Sequence, residues 1–333
     1  MEETMTKTLL SRRLMLAGAT ALAVCATLGS ASAQTWPSRP ITMIVPWGAG
    51  GGTDATARMI ASLLEKQLGQ PVPVVNRTGG SGAVGHQAIA SAEADGYTIG
   101  IATLEIGTMH HQGLTPLTHE AYAPIGLYNS DPAALFVRAD SPYKSVKDLL
   151  EAVKASADRK FKASGSAQGG VNHLALAGML KAAGIPVARV AWVPSEGAAP
   201  GLQDLAADGV QIATASLPEA VALISAGRIR PLAIFAPKRD EAMKDVPTFK
   251  EASGFDWSIG SWRGIVAPKG TPADVVAKLQ AEVGKAVATA QYLDFMKSKG
   301  YATGWTPGEG FRTFMAESDK GLGATLAEVG LKK

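Results

Sequence analysis

The chain has 333 residues, 46% of them hydrophobic and 18% charged, which supplies more than one core and excludes a disordered, tail-like polymer. Removing residues 1–33 takes away Lys7, Arg12 and Arg13 against Glu2 and Glu3, so the net charge of +3 becomes +2, too balanced for a nucleic-acid binder. The single cysteine, Cys25, falls in the same segment, so the remainder has no thiol for a disulfide, a cysteine-ligated zinc or a cysteine nucleophile.

Residues 1–33 read as an export signal. Ser11-Arg12-Arg13 precedes Leu14-Met15-Leu16 and an Ala/Leu-rich stretch to Leu28, and Ala31-Ser32-Ala33 is a small-residue cleavage site. The expectation is a periplasmic protein cleaved near Ala33. Paired arginines suit twin-arginine export as well as general secretion, and both stay open. Cys25 offers a competing lipid-anchor cut, but Val24 is larger than the residue usual before a lipidated cysteine. After Ala33 no apolar run of about 18 residues occurs, so no membrane-spanning helix is expected there.

The pattern predicts a strand over 41–45, stopped by Pro46, then the loop Gly48-Ala49-Gly50-Gly51-Gly52. A helix follows from Asp54, with Met59, Ile60, Leu63, Leu64 and Leu68 at helical spacing and Gly69 as its stop. Strands over 73–75 and 97–102 flank a helix over 85–94, and further strands are expected at 134–138, 161–164, 187–193, 211–215, 232–235 and 264–267. Alternating strands and helices imply an α/β fold with parallel sheets. Ser145 with Asp148, Thr271 with Asp274 and Thr306 with Glu309 read as capping boxes, with Pro272 and Pro307 at first helical positions. Two lobes would be crossed near 129–133 and 258–264.

Two loops can carry chemistry. Trp47 to Asp54 puts side-chain-free backbone at a helix N-terminus, which favours an anion, although Thr53 or Asp54 as a simple cap explains the pattern equally well. It lacks the Gly-Lys-Ser/Thr ending of a phosphate loop. Ala163 to Gly170 repeats the arrangement: a strand ends at Ser164, and a helix carrying Asn172 and His173 follows. Gly80-Ser81-Gly82-Ala83-Val84-Gly85 matches a dinucleotide spacing with Glu105 about 20 residues on, a weak match in so glycine-rich a chain. A hydrolase would use Ser164 or Ser166 with His173, but no G-x-S-x-G elbow occurs. His110, His111 and His119 invite a metal. Adjacent histidines are expected to point apart, and no carboxylate stands at ligand spacing, so they read as surface loop and no metal site is expected. Among the tryptophans, Trp47 and Trp262 are placed nearest a cleft and Trp192, Trp257 and Trp305 in packing.

These motifs together resemble the periplasmic solute-binding proteins of tripartite tricarboxylate transporters, the Bug- or TctC-type receptors. The resemblance rests on Trp36-Pro37-Ser38-Arg39-Pro40-Ile41, Val45-Pro46-Trp47 through Asp54, and Asn76-Arg77-Thr78-Gly79-Gly80-Ser81-Gly82 with Asp95-Gly96-Tyr97-Thr98. Val193 to Pro200, Ala226 to Ala233 and Ser261 to Pro272 continue it in order. It implies a two-lobed α/β periplasmic-binding-protein type II fold, a Venus flytrap in which each lobe is a mostly parallel sheet flanked by helices. Residues 34–133 with 260–333 would form lobe 1 and 134–259 lobe 2. It further implies a small organic carboxylate held by backbone amides and hydroxyls. The positions carried over are Trp47, Ala49, Gly50, Gly51, Thr53, Asp54 and Thr103 from one side, and Ser164, Ser166, Ala167 and His173 from the other.

The resemblance implies no cofactor and no catalysis, membrane permease subunits as partners, and a monomer. A secreted serine hydrolase using Ser166 and His173, and a sensory receptor using the same closure, are the alternatives. Family members commonly have Tyr-Lys where Ser195-Glu196 stands here, an aspartate near Gln211, and Ser or Thr where Ile234-Phe235-Ala236 stands. The far end of the ligand is therefore expected to be uncharged, apolar or cationic.

Overall fold

Short apolar runs build the first sheet. In the computed structural model, which describes residues 36–241 and 243–333, β1 (Thr42–Val45) pairs in parallel with β2 (Val74–Asn76) and with β3 (Thr98–Thr103). Between β1 and β2 runs α1 (Gly52–Leu68), which buries Ile60, Leu63 and Leu64. Gly69, at φ 66°, ends it by donating to the Glu65 carbonyl, a left-handed stop that glycine takes without strain. The next helix, α2 (Ala83–Ala90), precedes β3.

The following strand, β4 (Tyr122–Arg138), is 17 residues long. Beyond it come α3 (Val146–Ala155), β5 (Phe161–Ser164), α4 (Val171–Ala182), β6 (Val190–Trp192), α5 (Ala198–Ala206), β7 (Ile212–Ser216), α6 (Leu217–Ser225), β8 (Ile229–Ile234) and α7 (Phe249–Ser253). The chain closes with β9 (Gly260–Pro268), α8 (Ala273–Val287), α9 (Ala290–Lys299), β10 (Thr306–Pro307) and α10 (Gly308–Glu328). Strand order is β2-β1-β3-β9-β4-β7-β5-β6, with β8 and β10 also on β4. Both outer parts are parallel, β2-β1-β3 and β6-β5-β7, and the strands that join them are antiparallel. From Tyr122 to Pro132, β4 pairs with β9; from Ala133 onward it pairs with β7 and β8.

Alternation along β4 sets the packing on either side. Ala133, Leu135 and Val137 join one core with Leu149, Val153, Met179 and Phe249, while Ala134 and Phe136 join another with Leu202, Leu205 and Ile234. Successive side chains leave opposite faces of a strand, so this end of the sheet is covered on both. A third core, with Ile106, Tyr122, Leu174, Trp262 and Phe311, lies under β3, β9 and α10.

The Ser145–Asp148 capping box forms, each residue bonding the other's amide. Those expected at Thr271 and Thr306 do not. Thr271 donates its hydroxyl to the Pro268 carbonyl, Thr306 pairs with Leu127 in β10, and Pro272 and Pro307 sit one place before their helices with extended ψ. The expected crossings are paired strand: Asp131 lies opposite Ser261 and Pro132 opposite Gly260. Residues 39–333 form one compact unit. Residues 1–33, with the expected export signal and Cys25, lie outside the described residues. Among the described residues no helix is long and apolar enough to cross a membrane.

Candidate functional site

Immediately after β1 the chain turns at Pro46 and buries Trp47, whose Nε1 donates to Thr103 Oγ1 at 3.2 Å. Asn76 Nδ2 holds the Trp47 carbonyl at 2.8 Å. Gly82, at φ 90°, passes so close that a Cβ would meet the Trp47 ring at 3.0 Å. The dinucleotide-like glycines therefore serve close packing against this tryptophan. Arg39 similarly ties two sequence signatures together, bonding Asp95 at 2.8 Å and lying over the Tyr97 ring.

Gly51 precedes α1 and, having no side chain, leaves this helix end uncapped. Two nearby amides find carboxylates from the protein itself: Gly50 donates to Asp54 Oδ2 and Gly52 donates to Glu219 Oε1, both at 3.0 Å. Burial pushes the Asp54 carboxyl upward, but hydrogen bonds from Arg58, the Gly50 amide and Asn76 outweigh it and hold its pKa below the usual value. Glu219 comes from the first turn of α6, where its Oε2 accepts the Ser216 hydroxyl at 2.8 Å.

The second loop follows β5. Ser164 Oγ donates to the Val193 carbonyl at 2.8 Å, and the Gly169 amide donates to His173 Nδ1 at 2.9 Å. His173 stacks on Trp192 with centroids 4.6 Å apart, and burial lowers its pKa to about 4, so the ring is neutral. Ser166 Oγ and Asn172 Oδ1 are buried with no hydrogen-bond partner among the described residues. Ser166 is thus not bonded to His173, whose Nδ1 is already occupied, and no hydrolytic couple exists here.

Arg263 lies at the centre, on β9. Its Nε donates to Thr53 Oγ1 at 3.1 Å, its Nη1 to Asp131 at 2.9 Å and to Asn129, and its Nη2 stands 3.5 Å from Glu219. A second buried acid, Glu105, accepts from the Thr103 hydroxyl at 2.7 Å and from the Val171 amide at the start of α4. Burial raises the Glu105 pKa, with those hydrogen bonds and Arg263 pulling back against it.

One cavity lies among these groups, walled by Trp47, Gly51 to Thr53, Thr103 to Glu105, Ser166, Val171, Asn172, Gly197 to Pro200, Glu219 and Ser261 to Arg263. It leaves about 40 Å³ for the centres of water-sized molecules, room for a few waters. A wider groove beside Pro132, Phe235 and Tyr301 is lined by surface charges such as Lys238, Arg239 and Glu241 and has no comparable convergence of buried polar groups.

Of the residues singled out in the sequence, Trp47, Gly51, Thr53, Thr103 and Ser166 face the cavity. Ala49 and Gly50 are exposed outside it, and Asp54, Ser164, Ala167 and His173 are buried behind it. Glu105, Asn172, Glu219 and Arg263 also line it and were not among the ligand-binding positions carried over from the family. Glu219 hides as a helix-cap residue, Ser-x-x-Glu, and only the fold brings it across 167 positions to Gly52. Gln211 bonds Lys162, and Ile234 to Ala236 line the wider groove, so those departures from the family pattern do not face this cavity. His110 and His111 do not point apart: both reach Asp319, 3.2 and 3.0 Å away.

Residues 56–331 match the family described as the tripartite tricarboxylate transporter family receptor. A protein from Pseudomonas sp. strain P51, UPF0065 protein in the tcbD-tcbE intergenic region, is 34% identical over 88% of this chain and 87% of its own length. The periplasmic binding protein BugD superposes with a TM-score of 0.82 at 29% identity, covering 90% of this chain and all of that one. MatC from Rhodopseudomonas palustris, solved with bound malate, gives a TM-score of 0.80 at 26% identity over 87% of this chain and 100% of its own. The fold is that of the periplasmic binding proteins, the relatives are receptors and not enzymes, and the chain belongs to the tripartite tricarboxylate transporter receptor family.

Proposed function

We propose that this receptor takes a small organic acid into the cavity between residues 34–133 with 260–333 and residues 134–259. The closed form is then presented to membrane permease subunits. The observation that carries the reading is the pair of buried, unpartnered polar atoms, Ser166 Oγ and Asn172 Oδ1, facing the side-chain-free start of α1. Buried polar atoms are rarely left unpaired: a bound carboxylate accepts from the Ser166 hydroxyl, and a hydroxyl or ammonium elsewhere on the ligand donates to Asn172 Oδ1. Each hydrogen bond to a charged group contributes about 1.5–3 kcal/mol, and a partly buried helix N-terminus adds up to about 2 kcal/mol. Three or four such bonds reach micromolar affinity, about −8.2 kcal/mol, after ordering and closure costs.

Closure is driven by donors on both sides of the cavity, because the acid then binds the closed arrangement better than the open one. The small volume requires the walls to part before entry. Three bonds across the cavity oppose that: Gly48 amide to Glu196 carbonyl at 2.8 Å, Gly52 to Glu219, and Val171 to Glu105.

Charge narrows the ligand. The wall carries Glu105 and Glu219 against Arg263, which Asp131 already neutralises. A second carboxylate on the ligand meets this acidic surplus, whereas a neutral, apolar or cationic far end does not. In a thermal-shift series of matched chain length, monocarboxylates and zwitterionic acids should stabilise the protein more than dicarboxylates. The reverse order would remove the charge argument. Gly51→Val should abolish binding while sparing the fold, since a Cβ at Gly51 meets only the Gly48 carbonyl, at 3.7 Å. Retained affinity in that variant would refute the loop assignment. Export with cleavage near Ala33 is part of the same proposal, and N-terminal sequencing of periplasmic protein checks it.

A further inference from the structure

Away from the cavity, three imidazoles gather on one carboxylate. His110 and His111 lie in a single helical turn, His110–Gln112, and His119 begins another, His119–Ala121. Asp319 belongs to α10. Its Oδ1 stands 3.2 Å from His110 Nε2 and 3.0 Å from His111 Nε2, and its Oδ2 stands 3.3 Å from His119 Nδ1. The ring centroids of His110 and His111 are 4.0 Å apart, so both side chains run alongside each other toward the helix.

The ligand atoms of His110, His111 and Asp319 all lie within 4.8 Å of one another. Around a four-coordinate ion with bonds of about 2.0–2.1 Å to imidazole and carboxylate, neighbouring ligand atoms sit about 3.3 Å apart. The observed separations of 3.0 and 3.2 Å match that spacing. Side-chain exposures of 19%, 19% and 13% for His110, His111 and Asp319 leave the group sheltered and still open to solvent.

Two glycines make the approach possible. A Cβ at Gly323, one turn beyond Asp319 on α10, would fall 2.5 Å from His111 Nε2. A Cβ at Gly107 would fall 3.1 Å from the Asp319 Cα. Glycine inside a helix weakens it, so its place at 323 is accounted for by the space the imidazole needs.

We propose that His110, His111 and Asp319 form a binding site for a first-row divalent transition cation of the zinc type. Imidazole nitrogen selects such ions over magnesium and calcium, which prefer oxygen donors. Water completes the coordination, and His119 steadies the free carboxylate oxygen from behind. The ion ties the segment after Glu105 to the C-terminal helix, and its chemistry needs no thiolate.

The test uses the full chain without an affinity tag, stripped of metal by chelation and then titrated with Zn²⁺, Co²⁺ or Mg²⁺. One Zn²⁺ per chain, a raised melting midpoint and the visible bands of four-coordinate Co²⁺ are expected, with no response to Mg²⁺. Asp319→Asn and His110→Gln should each lower Zn²⁺ affinity at least tenfold, and His119→Ala about 10–100-fold, with circular dichroism and organic-acid binding unchanged. Absence of stoichiometric Zn²⁺ binding by the wild-type chain would overturn the site. So would wild-type affinity in both Asp319→Asn and His110→Gln, or an equal response to Mg²⁺.

Discussion

Ser166 and Arg263 express opposite sides of the same electrostatic problem. Ser166 has a buried hydroxyl without a hydrogen-bond partner, the one proposed to donate to the bound acid. Ser166→Ala should therefore cost binding by about 1.5–3 kcal/mol, roughly tenfold or more in Kd by calorimetry, with stability nearly unchanged. Arg263 is a structural charge. Burial disfavours its cationic form, but the carboxylates of Glu219 and Asp131 more than offset that and raise its pKa. Arg263→Leu leaves those two acids uncompensated and should lower unfolding free energy by about 3–5 kcal/mol, read from the urea midpoint. Ser166 is visible in the sequence because it stands in a serine and glycine loop. Glu219 and Asp319 are not, since each looks like an ordinary helix residue and meets its partners 167 and 208 positions away.

Elements were legible wherever a local pattern governs them. The strand, glycine loop and helix at 41–69 follow from apolar spacing and a glycine stop, and the Ser145 cap from its own two residues. Thr271 and Thr306 carry the same cap pattern and fail, because one hydroxyl is taken by a preceding carbonyl and the other residue is drawn into a strand pair. Long-range pairing decided against the local signal. Close packing between elements is the other feature that spacing conceals. A Cβ at Gly85 on α2 would lie 2.5 Å from Pro46 Cα and 2.5 Å from the Arg77 carbonyl, both backbone. Gly85→Ala should destabilise the fold by about 1–3 kcal/mol despite alanine's better helix propensity, because α2 cannot keep its seat against the end of β1. Chemical denaturation of the pair measures it.

At the level of the molecule, pH acts through two buried neutral histidines. Burial lowers His86 from 6.5 to about 4, with the Gly82 carbonyl working the other way, and lowers His173 to about 4. A depressed folded-state pKa means the unfolded chain takes up the proton first. The stability tied to each ring is complete above pH 6.5 and is lost as pH falls toward 4. Glu105, raised by burial, runs the opposite way, so the clean observable is a difference between variants. Relative to His86→Gln, the wild-type chain should lose about 1.4 kcal/mol of unfolding free energy per pH unit across that interval. Parallel slopes in urea titrations would show that His86 is not the group responsible.

Because the single strand β4 pairs with β9 up to Pro132 and with β7 and β8 from Ala133 onward, neither part of the sheet is complete without it. Fragments separated around residues 129–133 should therefore fail to reassemble when expressed apart. A break at the exposed turn carrying Arg159, before β5, leaves that strand whole and is the place to divide the gene for a complementation sensor.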